Sequence, residues 1–117
     1  MCGCCPDPQF VTVSTCGNFT TAEDTAATGN LVFDNDPGPL LSGYVTLTSL
    51  SISTPDTNAV LFNDGVLIIP SVAGTGVAPG DSQTVFVSDI GELVAASATA
   101  GSPVTGQVCV NASRRVV

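Results

Sequence analysis

Residues 11–16, Val-Thr-Val-Ser-Thr-Cys, alternate between apolar and polar side chains. Val11 and Val13 fall on one face of such a segment, and Cys16 falls on the other. A period of two residues is typical of a β-strand with one buried face, because successive side chains of a strand point to opposite sides. The pattern therefore predicts a strand in which the valines face the core and Cys16 faces outward.

The end of the chain repeats this pattern. Between residues 107 and 116, Val108, Val110 and Ala112 share one face, and Cys109 lies on the opposite face. By the same argument, Cys109 is predicted to point outward from a last strand. If the first and last strands are neighbours, the two outward cysteines share one exterior surface.

Six further segments with strand character lie between these two. Gly, Pro, Asn and Asp residues typical of turns separate them. Asn63-Asp64-Gly65 predicts a tight hairpin, because such turns need the positive φ that Gly adopts. A change of phase near Ser49 predicts a bulge or bend where one strand passes into the next sheet. The six segments are residues 30–33, 41–53, 58–62, 66–69, 84–87 and 92–97.

These patterns predict an all-β fold, a single eight-stranded antiparallel jelly-roll sandwich with an extended N-terminal connector. The chain has 117 residues, of which 44% are hydrophobic and 10% charged, a composition that favours one folded domain. We expect a flexible, Cys-rich connector over residues 1–9 and the jelly-roll domain over residues 10–117.

The charge balance is strongly acidic. Ten Asp and Glu residues stand against Arg114 and Arg115, and the net charge is −8. Nucleic acid and anionic lipid are recognised by clustered Lys and Arg, so neither nucleic acid nor a membrane is an expected partner. The longest apolar runs, such as residues 66–69, are far shorter than the roughly 20 residues of a membrane span. We also expect no classical secretory signal peptide, since no basic segment precedes an apolar one at the N-terminus.

Three of the five cysteines, Cys2, Cys4 and Cys5, lie within the first five residues. An odd number of cysteines cannot all pair within one molecule, so at least one is free, metal-bound or bonded to another molecule. The segment that carries the three has almost no apolar residues with which to fold. We therefore predict that these thiols reach out and fasten to the body of another copy.

Pro6 and Pro8 are the expected connector hinge, since proline favours an extended and stiff spacer. From Cys5 to Val11 a fully extended chain spans only about 20 Å. A bond to a near neighbour is therefore favoured over a bond to a distant copy.

Catalysis is the least favoured function. The chain has no His and no Lys, so the commonest general bases and nucleophile pairs are absent. Asp34, Asp36 and Asp64 are interpreted as turn residues whose side chains cap backbone amides. We predict a protein that is not an enzyme and has no catalytic residue. The leading alternative is a monomeric jelly-roll binding or adhesin module that uses its acidic loops for a glycan or Ca²⁺.

A thiolate metal cluster at Cys2-x-Cys4-Cys5 is the third hypothesis. Structural zinc sites usually draw four ligands from two knuckles, and the sequence contains no second knuckle. We therefore expect neither a metal site nor a cofactor.

Three motifs resemble the bacterial endospore appendage (Ena) subunits, which are spore-surface fibre proteins of bacilli. The first is the Cys4-Cys5 pair in an N-terminal connector. The second is the first-strand stretch Val13-Ser14-Thr15-Cys16-Gly17-Asn18-Phe19. The third is Gly106-Gln107-Val108-Cys109 near the C-terminus, with Arg114 as the basic residue that follows.

The resemblance implies a jelly-roll subunit that forms a helical or stacked homopolymer on the spore exterior, its partners being copies of itself. It also implies that Cys4 and Cys5 are connector thiols and that Cys16 and Cys109 accept them on other subunits, with Cys2 as an additional candidate. The chain departs from the family in its shorter connector, in Cys2, and in the prolines of that connector. Late oxidation, after assembly in a sporulating mother cell, would fit this scheme.

Overall fold

The computed structural model describes residues 10–25, 27–35, 41–50, 57–70 and 76–115, with the backbone alone at residues 10, 11, 114 and 115. The predicted connector, residues 1–9, lies outside these ranges. So do the site residues assigned to it, Cys2, Cys4, Cys5, Pro6 and Pro8, and the turn residue Asp36.

Every regular element in the described ranges is a β-strand, and there are eight of them. The prediction of an all-β chain with eight strands is therefore confirmed. The strands are β1 (Phe10–Thr21), β2 (Asn30–Asp34), β3 (Ser42–Ser49), β4 (Ala59–Asn63), β5 (Val66–Ile69), β6 (Ser82–Val87), β7 (Glu92–Ser97) and β8 (Val104–Arg115).

The strands form two four-stranded sheets. The first has the order β1-β8-β3-β6, and the second has the order β2-β7-β4-β5. All pairings within both sheets are antiparallel. In each sheet the strands that pair are distant in sequence, apart from the β4–β5 hairpin, so the chain passes repeatedly from one sheet to the other.

The core lies between the inner faces of the two sheets. On β3, every second residue from Gly43 to Ser49 is buried, and on β8 the predicted inward set Val108, Val110 and Ala112 is buried. This is the alternation that one buried face requires. The fully buried large side chains include Leu41, Val45, Leu47, Leu61, Ile69, Ile90 and Leu93.

β1 and β8 are longer than their sequence patterns suggested, with 12 residues each. They pair along their whole length, from Phe10 opposite Arg115 to Thr21 opposite Val104. The predicted segment 41–53 ends as a strand at Ser49, and its proposed continuation falls largely in residues 51–56, outside the described ranges.

The predicted hairpin is present between β4 and β5. Asp64 has a φ of 50° and Gly65 a φ of 82°, and these two residues alone connect the strands. Two successive residues with positive φ are the pattern of the turn that matches the twist of paired strands. Asp is one of the few residues other than Gly that adopts this conformation readily.

The segment between β1 and β2 covers part of the outer face of the second sheet. The backbone N–H of Ser97 donates to Glu23 O at 2.8 Å, and that of Gly101 donates to Ala22 O at 2.8 Å. Gly29 packs so closely on β7 that an added Cβ would collide with Val94. As a result the residues of β7 from Leu93 to Ser97 are buried on both faces.

Candidate functional site

Cys16 and Cys109 are brought together by the register of β1 and β8. Each is the partner of the other across the antiparallel ladder, with the Cα atoms 4.0 Å apart. A short separation of this kind is typical of a directly opposed pair whose backbone groups do not bond each other. The two side chains therefore leave the sheet side by side on the same face.

The two sulfurs are joined in a disulfide, with an S–S distance of 2.12 Å and 93 residues of sequence separation. Cys16 is exposed and Cys109 is half-buried, and the inward neighbours Val108 and Val110 are buried. The outward orientation predicted for both cysteines is thus confirmed, and so is their common exterior surface.

A bond between these two residues within one chain was not predicted from the sequence. Since it uses two of the five cysteines, Cys2, Cys4 and Cys5 are left as an odd set. Bonds from that set to Cys16 or Cys109 of another copy stay a prediction.

Polar side chains surround the disulfide. Gln107 Oε1 lies 3.5 Å from Cys109 Sγ, and Gln107 Nε2 donates to Asn18 Oδ1 at 3.3 Å. On the other side, the Cα partner of Cys109 is Thr46, whose hydroxyl bonds that of Thr84 at 2.7 Å. The bridge therefore lies in a row of polar side chains that crosses the four strands of the first sheet.

The outer face of the first sheet carries no charged side chain among residues 12–21, 42–49, 82–87 and 104–113. We call it the uncharged face. Its outward residues are Thr12, Ser14, Cys16, Asn18 and Thr20 on β1, Thr105, Gln107, Cys109, Asn111 and Ser113 on β8, Ser42, Tyr44, Thr46 and Thr48 on β3, and Ser82, Thr84 and Phe86 on β6. In a chain with a net charge of −8, so large a neutral surface is distinctive.

Two exposed aromatic residues stand on this face. Tyr44 and Phe86 are 58% and 59% exposed. Sequence reasoning did not identify them as candidates, although the phase of β3 contained the signal. Since Val45 and Leu47 point inward, Tyr44 must point outward with Thr46.

The described carboxylates lie in loops or at strand ends: Glu23, Asp24, Asp34, Asp64, Asp81, Asp89 and Glu92. The backbone N–H of Glu92 donates to Asp64 Oδ1 at 2.9 Å, and that of Gly91 donates to Asn63 Oδ1 at 2.8 Å. Asp64 thus caps a backbone amide, as the turn interpretation predicted for it. Within the described residues, no three of His, Cys, Asp and Glu lie close enough together to hold a metal ion.

The part of the chain that the structure describes contains no helix with the length and apolar character needed to cross a membrane.

No protein-family model matches the chain, and the comparison with curated proteins found no match. A solved structure of Bacillus endospore appendages, described as a novel family of disulfide-linked pili, is similar to it, with a TM-score of 0.61 and 18% sequence identity. The similarity covers 100% of this chain and 99% of that one. At this identity it shows a shared fold. The resemblance to endospore appendage subunits is therefore confirmed at the level of the fold.

Proposed function

We propose that this protein is a structural subunit that assembles with copies of itself into an extracellular fibre on the spore surface. Intermolecular disulfides from the N-terminal connector, residues 1–9, lock the fibre. The observation that carries the proposal is the exposed Cys16–Cys109 bridge on the uncharged face. The fold shared with a disulfide-linked pilus supports it.

The domain over residues 10–117 is, in this proposal, a jelly roll. The strand orders β1-β8-β3-β6 and β2-β7-β4-β5 support this assignment. A jelly roll places eight strands in two sheets by means of two Greek keys, in which a distant strand returns to lie beside the first. The pairing of β8 with both β1 and β3, and of β7 with both β2 and β4, has this character.

The position of the bridge fits a covalent lock between copies. Both sulfurs lie on an exterior face, so a connector thiol from a neighbouring molecule reaches them without opening the core. The buried neighbours Val108 and Val110 hold β8 against the second sheet while the bridge stays outside. The site is therefore accessible and firmly supported.

Electrostatics favour this face for contact between copies. Like-charged molecules repel, and the repulsion is weakest where neither surface carries charge. The described carboxylates lie in the loops and at the strand ends, and none lies on the uncharged face. The exposed rings of Tyr44 and Phe86 add apolar area at that place. The second sheet is instead partly covered by its own chain.

Contacts between sheet edges can align neighbouring copies without a covalent bond. β1 and β6 are the edge strands of the first sheet, and β2 and β5 are those of the second. An edge strand has unpaired backbone N–H and C=O groups on one side, which a strand of another copy can pair. Assembly through such contacts comes first, and disulfides then make the polymer kinetically persistent.

Denaturing gel electrophoresis with and without reductant, beside electron microscopy of the same sample, tests this function. We expect fibres, and a ladder that collapses to monomer on reduction. The matched control is the triple variant Cys2→Ser, Cys4→Ser, Cys5→Ser, which keeps the Cys16–Cys109 bridge and should give no ladder. Monomer in both lanes with no fibres would rule out the proposal, and fibres without a ladder would reject its covalent part alone.

A further inference from the structure

We propose that the Cys16–Cys109 disulfide is itself the reactive group of the covalent step. A connector thiolate of a second copy attacks Cys16 Sγ and displaces Cys109, so the interchain bond forms by thiol–disulfide exchange without an oxidant. This inference rests on the proposed function and specifies the chemistry of its lock.

The step is balanced in atoms and electrons. The connector thiol gives its proton to solvent, and the resulting thiolate forms a new S–S bond with Cys16 Sγ. The electron pair of the old S–S bond leaves with Cys109 Sγ, which then takes up a proton. One thiol and one disulfide are consumed, and one thiol and one disulfide are produced.

The position of the bridge selects Cys16 as the sulfur that is attacked. A thiolate approaches a disulfide in line with the S–S bond, on the side opposite the departing sulfur, and its rate depends on access. β1 is an edge strand, so the approach to exposed Cys16 crosses no neighbouring strand of this sheet. The approach to half-buried Cys109 crosses β3, where Thr46 is its Cα partner. Access therefore favours Cys16 and makes Cys109 the leaving group.

The surroundings of Cys109 favour the product. A disulfide sulfur has no hydrogen to donate, whereas the released thiol can donate one to Gln107 Oε1, 3.5 Å away. Gln107 is oriented for this by the hydrogen bond from its Nε2 to Asn18 Oδ1. The new hydrogen bond exists only after exchange.

The electrostatics of the face also permit the attack. The nucleophile is an anion, and a carboxylate beside the bridge would lower its local concentration. No described residue of the uncharged face carries a negative charge. A connector thiolate thus meets a neutral surface on a molecule whose net charge is −8.

Exchange has a fixed stoichiometry. Each body holds one bridge and so accepts one connector thiol without an oxidant. A second bond, through the released Cys109, requires the removal of two electrons. The first covalent link therefore forms in a reducing compartment as long as the bridge itself persists, and only the second waits for oxidation.

The test mixes two variants of the full chain in the absence of oxygen and metal ions. The acceptor is Cys2→Ser, Cys4→Ser, Cys5→Ser with its bridge intact. The donor is Cys16→Ser, Cys109→Ser, with its connector thiols reduced and the reductant removed. The donor has no bridge, so it cannot react within its own chain. We expect a covalent donor–acceptor product on a non-reducing gel with one link per acceptor, a bond to Cys16 in peptide mapping, a new thiol at Cys109, and an unchanged total thiol concentration.

Acceptor whose bridge has been reduced beforehand is the control and should give no product without oxidant. If circular dichroism shows that the donor is unfolded, the thiol concentration of the wild-type chain is measured instead. This concentration should stay constant while covalent polymer forms without oxygen, whereas oxidation would remove two thiols for each link. Covalent product that forms only from the reduced acceptor with added oxidant, and not from the bridged acceptor, would overturn exchange and leave the proposed function intact. The absence of product under both conditions would overturn exchange together with the covalent part of the proposed function, and a bond mapped to Cys109 would overturn the choice of sulfur.

Discussion

Tyr44 and Phe86 face each other across β3 and β6, with ring centroids 5.4 Å apart and ring planes at 70°. This edge-to-face arrangement brings the positive edge of one ring to the negative face of the other. It is the one place in the described part of the uncharged face where large apolar groups meet. The pair therefore has two measurable consequences, one for stability and one for assembly.

A double-mutant cycle with Tyr44→Ala and Phe86→Ala should give a coupling free energy of about 0.5–1.5 kcal/mol, because aromatic pairs contribute this much beyond their buried area. The measurement is urea unfolding in the background Cys2→Ser, Cys4→Ser, Cys5→Ser, which in our proposal forms no covalent link between copies. Strictly additive single variants would show that the two rings do not interact in solution.

Phe86→Asp should lower fibre yield strongly, and it should lower the free energy of unfolding by about 0.5–1.5 kcal/mol through loss of the ring pair with Tyr44. The reason for the lower yield is that it places a negative charge on a face that copies of an acidic chain use to approach each other. Ala100→Asp, which adds the same charge to an exposed turn between β7 and β8, is the matched control. Equal fibre yields from the two variants, measured by sedimentation and electron microscopy, would argue against this face as a contact.

Removal of the bridge by Cys16→Ser with Cys109→Ser should lower the free energy of unfolding by about 2–5 kcal/mol, because the bridge closes a long loop in the unfolded chain. The loop extends over 93 residues of sequence separation. The fold should survive, since β1 and β8 keep their 12-residue ladder. Urea unfolding followed by circular dichroism gives the difference, and Ser14→Ala on the same exposed face is the neutral control.

Asp64 in the β4–β5 turn has two features that variants can test, its positive φ and the hydrogen bond that its side chain accepts. Asp64→Ala should lower the free energy of unfolding by about 1–2 kcal/mol, because Ala tolerates a positive φ poorly and cannot accept the bond from Glu92 N. Asp64→Asn should change it by less than about 0.5 kcal/mol, since Asn adopts this conformation and retains an acceptor oxygen. If the two variants are equally unstable, the negative charge of Asp64 is what matters.

Assembly should accelerate when ionic strength rises. A net charge of −8 makes copies repel one another, and the screening length falls from about 30 Å at 0.01 M salt to about 8 Å at 0.15 M. Light scattering during fibre growth at the two salt concentrations measures the effect. A rate that falls with salt would indicate instead that attraction between opposite charges drives the contact.

Most of what could be predicted about the site came from the alternation of apolar and polar side chains along β1 and β8. It placed Cys16 and Cys109 outward and the valines of β8 inward, because a period of two fixes the face of each residue. It did not fix which residue lies opposite which. A shift of the ladder by two residues keeps every side chain on its face, so the phase alone could not pair Cys16 with Cys109.

The middle of the chain was harder to interpret for a different reason. β7 has no alternation, since Leu93 to Ser97 are buried on both faces by the core and by the segment between β1 and β2. A short apolar strand of this kind is recognisable, but its neighbours are not. The order of strands in a sheet depends on pairing between residues distant in sequence, so local sequence does not predict that order.

The path from Phe10 to Cys16 runs along a single edge strand on the outside of the molecule. In a fibre locked as proposed, tension enters each body where the connector joins β1 and leaves through the sulfur of Cys16. The load therefore passes along one short stretch of covalent backbone. Leu47 and Leu61, in the core between the sheets, lie off that line. A stretched fibre then lengthens between its subunits, and the core of each subunit carries no load and stays folded.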